Sequence, residues 1–95
     1  MKLTSRSALH QHLGQFLRDK RVDAGLTQAE IAGKLGYSSP QFISNFERGL
    51  CSPPLKNLKA LVKLYKIDAN ELIRLILDEQ KNVLASALLG AKRAR

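Results

Sequence analysis

Residues Leu26 to Gly49 read LTQAEIAGKLGYSSPQFISNFERG, and this stretch decides the fold. Glu30 follows Thr27 at the spacing of a capping box. There the threonine hydroxyl accepts from the amide three residues on, and the carboxylate reaches back to the cap amide. A helix therefore starts at Thr27, with Ile31, Ala32 and Leu35 on its buried face. Gly36 stops it, because glycine takes the left-handed backbone that a tight turn needs. Tyr37 and Ser38 make the turn. The next helix starts near Ser39, with Pro40 at its first helical position, where a missing N–H costs nothing. Phe42, Ile43 and Phe46 form its apolar side. Gln41 and Asn45, one helical turn apart, share the opposite face. Gly49 closes it. The stretch is thus two short helices joined by a tight turn, the second with one polar face.

Helix signals continue on both sides. The spacing of Leu9, Leu13, Phe16 and Leu17 predicts a first helix from about Ala8 to Ala24, capped by Ser7 and ended by Gly25. After a loop from Leu50 to Pro53, Pro54 opens a helix to about Lys66, with Leu55, Leu58, Leu61, Val62 and Tyr65 at helical spacing. The last helix is predicted from about Asn70 to Leu89, with Asp68 as a cap. Leu72, Ile73, Leu75 and Ile76 begin its apolar side, and Val83, Leu84, Ala87 and Leu88 continue it. Strand signals are nearly absent. The expected architecture is an all-α, compact five-helix domain over residues 1–76. Residues 77–95 extend the last helix and end in the basic tail AKRAR.

The totals narrow the function. Ninety-five residues support one modest core. Sixteen Lys and Arg against eight Asp and Glu give a net charge of +8, which favours polyanionic partners, nucleic acid first and anionic membrane second. Cys51 is the only cysteine, so no disulfide framework exists and a reducing cytoplasm is expected. No run approaches the roughly 18 apolar residues of a membrane span, and the N-terminus lacks the sustained apolar core of a signal peptide. His10 and His12 do not share a helix face, so no metal site is expected. Cys51 has no neighbouring histidine to activate it. With no paired carboxylates and no phosphate-cradling glycine loop either, neither enzymatic activity nor a cofactor is expected.

The spaced residues Leu26-Thr27-Gln28, Ala32, Leu35-Gly36, Ile43-Ser44 and Glu47-Arg48-Gly49 carry a resemblance. Leu26–Gly49 resembles the helix-turn-helix of the lambda-repressor-like, Cro-type (Xre) DNA-binding proteins, and the similarity extends over roughly Leu13 to Leu72. Gln, Asn, Ser and Arg on a helix in the major groove reach base edges. The resemblance implies base contacts for Ser39, Gln41, Ser44 and Asn45. It implies a phosphate contact for Gln28, where a helix N-terminus favours an anion in any case; Thr27, Ser38, Arg48, Lys56 and Asn57 are further candidate phosphate contacts by their positions in the chain. It also pairs Glu47 with Arg21 as a partly buried ion pair that fixes the first helix against the third.

This chain departs from the common pattern by one extra residue between Gly36 and Ile43. The insertion places Phe42 where a polar, groove-facing residue often stands. Phe42 either packs beside Tyr37 or meets a thymine methyl. Proteins of this kind bind double-stranded DNA as two-fold dimers on palindromes. Leu77, Val83, Leu84, Leu88 and Leu89 exceed what one domain buries, so the end of the last helix is the expected dimer contact. The other arrangement folds this segment back on the first helix. The implied function is a nucleoid-associated, cytoplasmic transcriptional regulator, most simply a repressor occupying its operator. The competing reading is an antitoxin-like or adaptor module that holds a protein partner with its last helix.

Overall fold

A computed structural model describes residues 11–90. The described residues form five helices: α1 Gln11–Asp23, α2 Gln28–Leu35, α3 Gln41–Glu47, α4 Leu55–Leu64 and α5 Ala69–Leu89. The fold is all-α, as the helical periodicity predicts. Ser7, Ala8, Leu9, His10 and the tail 91–95 lie outside the described residues.

Local chemistry sets the helix ends. At α2 the Glu30 amide donates to Thr27 Oγ1 at 3.0 Å, and the Thr27 amide donates to Glu30 Oε1 at 2.8 Å. The capping box thus satisfies two backbone donors that the helix leaves free. Gly36 takes φ +83°, and the Tyr37 amide donates back to the Ala32 carbonyl at 2.9 Å. Helix α3 starts one residue later than its composition predicts. Pro40 is the cap (φ −72°, ψ −4°) and Gln41 the first helical residue. The extra residue is absorbed before the helix, where Ser39 Oγ accepts from the Gln41 amide at 3.2 Å. Helix α4 is also shorter than predicted. Pro54 is extended (ψ 153°) and serves as its cap. At the far end Lys66 takes φ +54°, a left-handed conformation that no helix continues through.

The core gathers Leu13 and Leu17 of α1, Ile31 and Ala32 of α2, Ile43 and Phe46 of α3, and Leu58 and Leu61 of α4. Tyr65, Ile67 and Leu72 close it. Helix α1 packs on α3 and α5, and α2 packs on α3. The α1–α3 contact is backbone-close at Gly14. A Cβ built there would lie 2.5 Å from the Glu47 carbonyl oxygen and 2.6 Å from that of Phe46. Only a residue without a side chain permits this approach.

Helix α5 plays two parts. Leu72 is buried and Leu75 and Ile76 pack against the core. Beyond them Leu77, Leu84, Leu88 and Leu89 are exposed, and Val83 is half-buried. Glu79 interrupts this exposed half. It is buried, and its Oε2 accepts from the Leu13 amide of α1 at 3.0 Å, with His12 Nδ1 at 4.0 Å. A carboxylate on an amide in the first described turn of α1 thus joins the middle of α5 to α1.

Candidate nucleic-acid interface

Helix α3 divides sharply by face. Ile43 and Phe46 are buried, Gln41 and Arg48 are exposed, and Ser44 and Asn45 are half-buried. One turn of helix brings Gln41 over Asn45, and Gln41 Nε2 donates to Asn45 Oδ1 at 2.9 Å. The bond leaves Gln41 Oε1 as a free acceptor and Asn45 Nδ2 as a free donor. An acceptor beside a donor is the complement of an adenine edge, which offers the N6 amino group and the N7 acceptor in the major groove.

The turn before α3 is braced from behind. Tyr37 stacks on Phe42 with ring centroids 4.6 Å apart and meets Phe46 edge-on at 6.1 Å. Its hydroxyl accepts from Asn57 Nδ2 at 2.6 Å. Asn57 is buried, so its side chain ties α4 to the turn and is not presented to a phosphate. This differs from its reading, by position, as a candidate phosphate contact. Of the two alternatives for Phe42, packing beside Tyr37 is the one present. One face of its ring packs on Tyr37, yet the residue stays 45% exposed on the edge of the polar face.

Glu47 lies at the end of α3, where an unpaired carboxylate would repel a phosphate backbone. Three donors surround it. Arg21 Nε donates to Oε2 at 2.6 Å, Arg21 Nη2 to Oε1 at 3.1 Å, and Gln28 Nε2 to Oε1 at 2.9 Å. The remaining Arg21 nitrogen, Nη1, donates to the Leu26 carbonyl at 2.8 Å. The hydrogen bond to Glu47 pushes the Arg21 guanidinium further up from its already high pKa, against the opposing effect of burial. Tyr65, buried and close to Glu47, is pushed up as well, chiefly by loss of solvent. The pair thus stitches α1, the entry to α2 and the end of α3 at one point.

Gln28 spends one of its two amide hydrogens on Glu47. The other, and the backbone amides of Gln28 and Ala29 that the capping box leaves free, point the α2 N-terminus toward an anion. Thr27 Oγ1 is occupied as the cap acceptor. Ser38, Arg48 and Lys56 are exposed around α3 and at the start of α4, and Ser39 is half-buried at the α3 entry. The structure therefore groups Ser38, Ser39, Gln41, Ser44, Asn45 and Arg48 on α3 and its approach, and turns Asn57 inward.

Two residues of this arrangement escape sequence reasoning. Gly14 sets the α1–α3 distance, and Glu79 anchors α5. Among the described residues no cluster of three His, Cys, Asp or Glu is placed to hold a metal ion, and no helix is long and apolar enough to cross a membrane. Burial pushes the Cys51 thiol up, the opposite of what an activated nucleophile needs.

Arg21→Ala removes two of the donors on Glu47 and leaves a buried carboxylate underpaired. The expected loss is about 3 kcal/mol of stability, or a fall in Tm of very roughly 15 °C for a domain of this size. Thermal unfolding followed by circular dichroism reads it directly. A variant that melts with the wild type would show that the pair does not hold the helices together.

Residues 12–75, from the start of α1 into α5, match the family model described as a helix-turn-helix domain. Three curated relatives show what the chain is similar to. The cryptic phage CTXphi transcriptional repressor RstR of Vibrio cholerae is 31% identical over 70% of this chain and 57% of its own length. The HTH-type transcriptional regulator DdrOP3 of Deinococcus deserti is 36% identical over 64% of this chain and 46% of its own. The ImmF control region 10 kDa protein of Bacillus phage phi105 is 37% identical over 63% of this chain and 66% of its own. The matches thus span about half to two thirds of these relatives. No solved structure matches the chain. The matched segment begins in α1 and contains the capping box, the α2–α3 turn and the Arg21–Glu47 pair, and on it the chain belongs to the helix-turn-helix domain family and is Xre-like.

Proposed function

We propose that this chain is a sequence-specific transcriptional regulator, a repressor that occupies a palindromic operator as a homodimer with α3 in the major groove. The observation that carries the reading is the outward face of α3. Gln41 and Asn45 form a hydrogen-bonded amide pair there, flanked by Ser44 and Arg48, in a chain of net charge +8. Gln41 and Asn45 read an adenine, while Ser39 and Ser44 read adjacent base edges. Thr27, Gln28, Ser38, Arg48 and Lys56 hold the phosphates on either side. Asn57 contributes indirectly, by bracing Tyr37 and so the start of α3. A relative named as a transcriptional repressor and another named as a transcriptional regulator support the regulatory role.

Residues 1–76 form the DNA-binding unit and 77–95 the extension, with Leu77, Val83, Leu84 and Leu88 as the contact between protomers. Such a protein works on the nucleoid in the cytoplasm. The same exposed leucines of α5 would serve an antitoxin-like or adaptor module, so binding to DNA must decide.

The test is titration of the chain with its own upstream DNA and with random DNA across a range of salt. The expected result is an affinity ratio of roughly 10³ or more. Log affinity should fall with log salt by about 0.9 per phosphate contacted. Equal affinity for all sequences would reject the regulator and leave the protein-binding module.

A further inference from the structure

Helix α5 carries four exposed apolar side chains on one stripe: Ile73, Leu77, Leu84 and Leu88, which are 51%, 61%, 55% and 77% exposed. At the angular step of an α-helix they fall within an arc of about 60°. Their intervals are 4, 7 and 4 residues, so the stripe reads the same from either end about a midpoint between Gln80 and Lys81. An antiparallel two-fold pairing needs this property for apolar to meet apolar, because every contact in it occurs twice with the roles exchanged.

We propose that the occupant of this stripe is the α5 of a second copy, laid antiparallel with the two midpoints together. In that register Ile73 meets Leu88 of the second copy, Leu77 meets its Leu84, and the polar Gln80 and Lys81 meet at the centre. The proposal rests on the homodimer reading and gives it an orientation.

Two further observations fix the orientation. Lys81 and Asp78 lie on the same flank of the stripe. Antiparallel pairing places each Lys81 within about 3 Å of axial rise from the Asp78 of the other copy, and symmetry repeats the pair. A parallel pair would bring the two Lys81 side chains level across the seam. Such exposed charges add little affinity but discriminate between orientations.

The second observation is the apolar groove of about 560 Å³ between α4 and α5, walled by Leu55, Val62, Leu72, Ile73 and Ile76 and edged by Lys56 and Lys59. Leu55 at its mouth is 81% exposed. Ile73 belongs to both the stripe and the groove wall. The antiparallel register therefore brings Ala87 and Leu88 of the second copy to the groove, whereas a parallel register carries that end past it.

Cysteine crosslinking of the full chain tests the register, in a Cys51→Ser background. Leu77→Cys and Leu84→Cys proteins are mixed, allowed to exchange subunits and oxidised. Both residues are exposed, so folding is not at issue. The mixture is expected to give disulfide-linked dimer at roughly ten-fold or more over either variant alone, because like positions lie beyond the ~7 Å Cα limit for a disulfide. Ile73→Cys with Leu88→Cys should behave the same way. Dimers that crosslink 77 to 77 and 84 to 84 would overturn the antiparallel register and leave the homodimer standing. Wild-type chain that sediments as a monomer at micromolar concentration would overturn the homodimer itself.

Discussion

Gly14→Ala is expected to destabilise the domain by about 2–4 kcal/mol, at or beyond the upper end of ordinary overpacking penalties. The added methyl group would lie 2.5 Å from the Glu47 carbonyl oxygen, 2.6 Å from the Phe46 oxygen and 2.9 Å from the Glu47 carbonyl carbon. All three are backbone atoms, and the Phe46 carbonyl already accepts from the Gly49 amide at 3.2 Å in the turn that ends α3. They cannot swing aside as a side chain would. Helix α1 must instead move off α3. Gly14, Leu17 and Arg21 lie on one face of α1, so that movement also opens the Leu17 packing and stretches the Arg21–Glu47 pair. Alanine is the better helix former by roughly 1 kcal/mol, which opposes the effect without reversing it. Gly33→Ala separates the two contributions. A Cβ at Gly33 meets nothing within 4 Å, so that variant is expected to gain about 0.5–1 kcal/mol. Denaturant unfolding of the two variants should show midpoints displaced in opposite directions. A Gly14→Ala midpoint at or above the wild-type value would refute the close approach.

What could be read in advance follows the range of the interaction. The capping box of Thr27 and Glu30 and the stop at Gly36 are set by residues a few positions apart, and they appear in the structure where the sequence places them. The Arg21–Glu47 geometry is long-range, and only the family resemblance made it foreseeable. Where local rules compete, the margin was one residue. Pro40 suits either the first helical position or the cap, and the extra residue before Ile43 tips it to the cap. Lys66 gave no sign of its left-handed backbone, because lysine has no preference for it and the following Ile67, buried in the core, imposes it. Gly14 and Glu79 were illegible for a different reason. Each acts on a helix far away in sequence, Glu79 on Leu13 and Gly14 on the end of α3. An acidic residue on an exposed-looking helix is ordinarily solvated, and nothing local marks this one as buried. Asn57 shows the same limit. Its position after α3 matched a phosphate contact, and only the packing of α4 reveals that Tyr37 uses its amide.

Gln41→Ala and Asn45→Ala are each expected to weaken binding to the specific operator by about 1–3 kcal/mol, roughly 5- to 150-fold, while leaving binding to random DNA nearly unchanged. Both side chains lie on the outer face of α3 and neither belongs to the buried core, so thermal stability should stay within about 0.5 kcal/mol of wild type. The hydrogen bond from Gln41 Nε2 to Asn45 Oδ1 makes the two residues one reading unit. Removing either releases the other from its fixed orientation, so the double variant should lose less than the sum of the single losses. Arg48→Ala and Lys56→Ala provide the contrast. A phosphate contact carries no base information, so each should lower affinity for every sequence alike and reduce the salt slope by about 1. The two classes of variant therefore separate on two axes, the specific-to-random ratio and the salt dependence. If the Gln41 and Asn45 variants keep the wild-type ratio while the arginine and lysine variants lose affinity, α3 rests on the DNA without reading it. The base discrimination would then have to come from the neighbouring exposed ring of Phe42, or from the shape of the duplex.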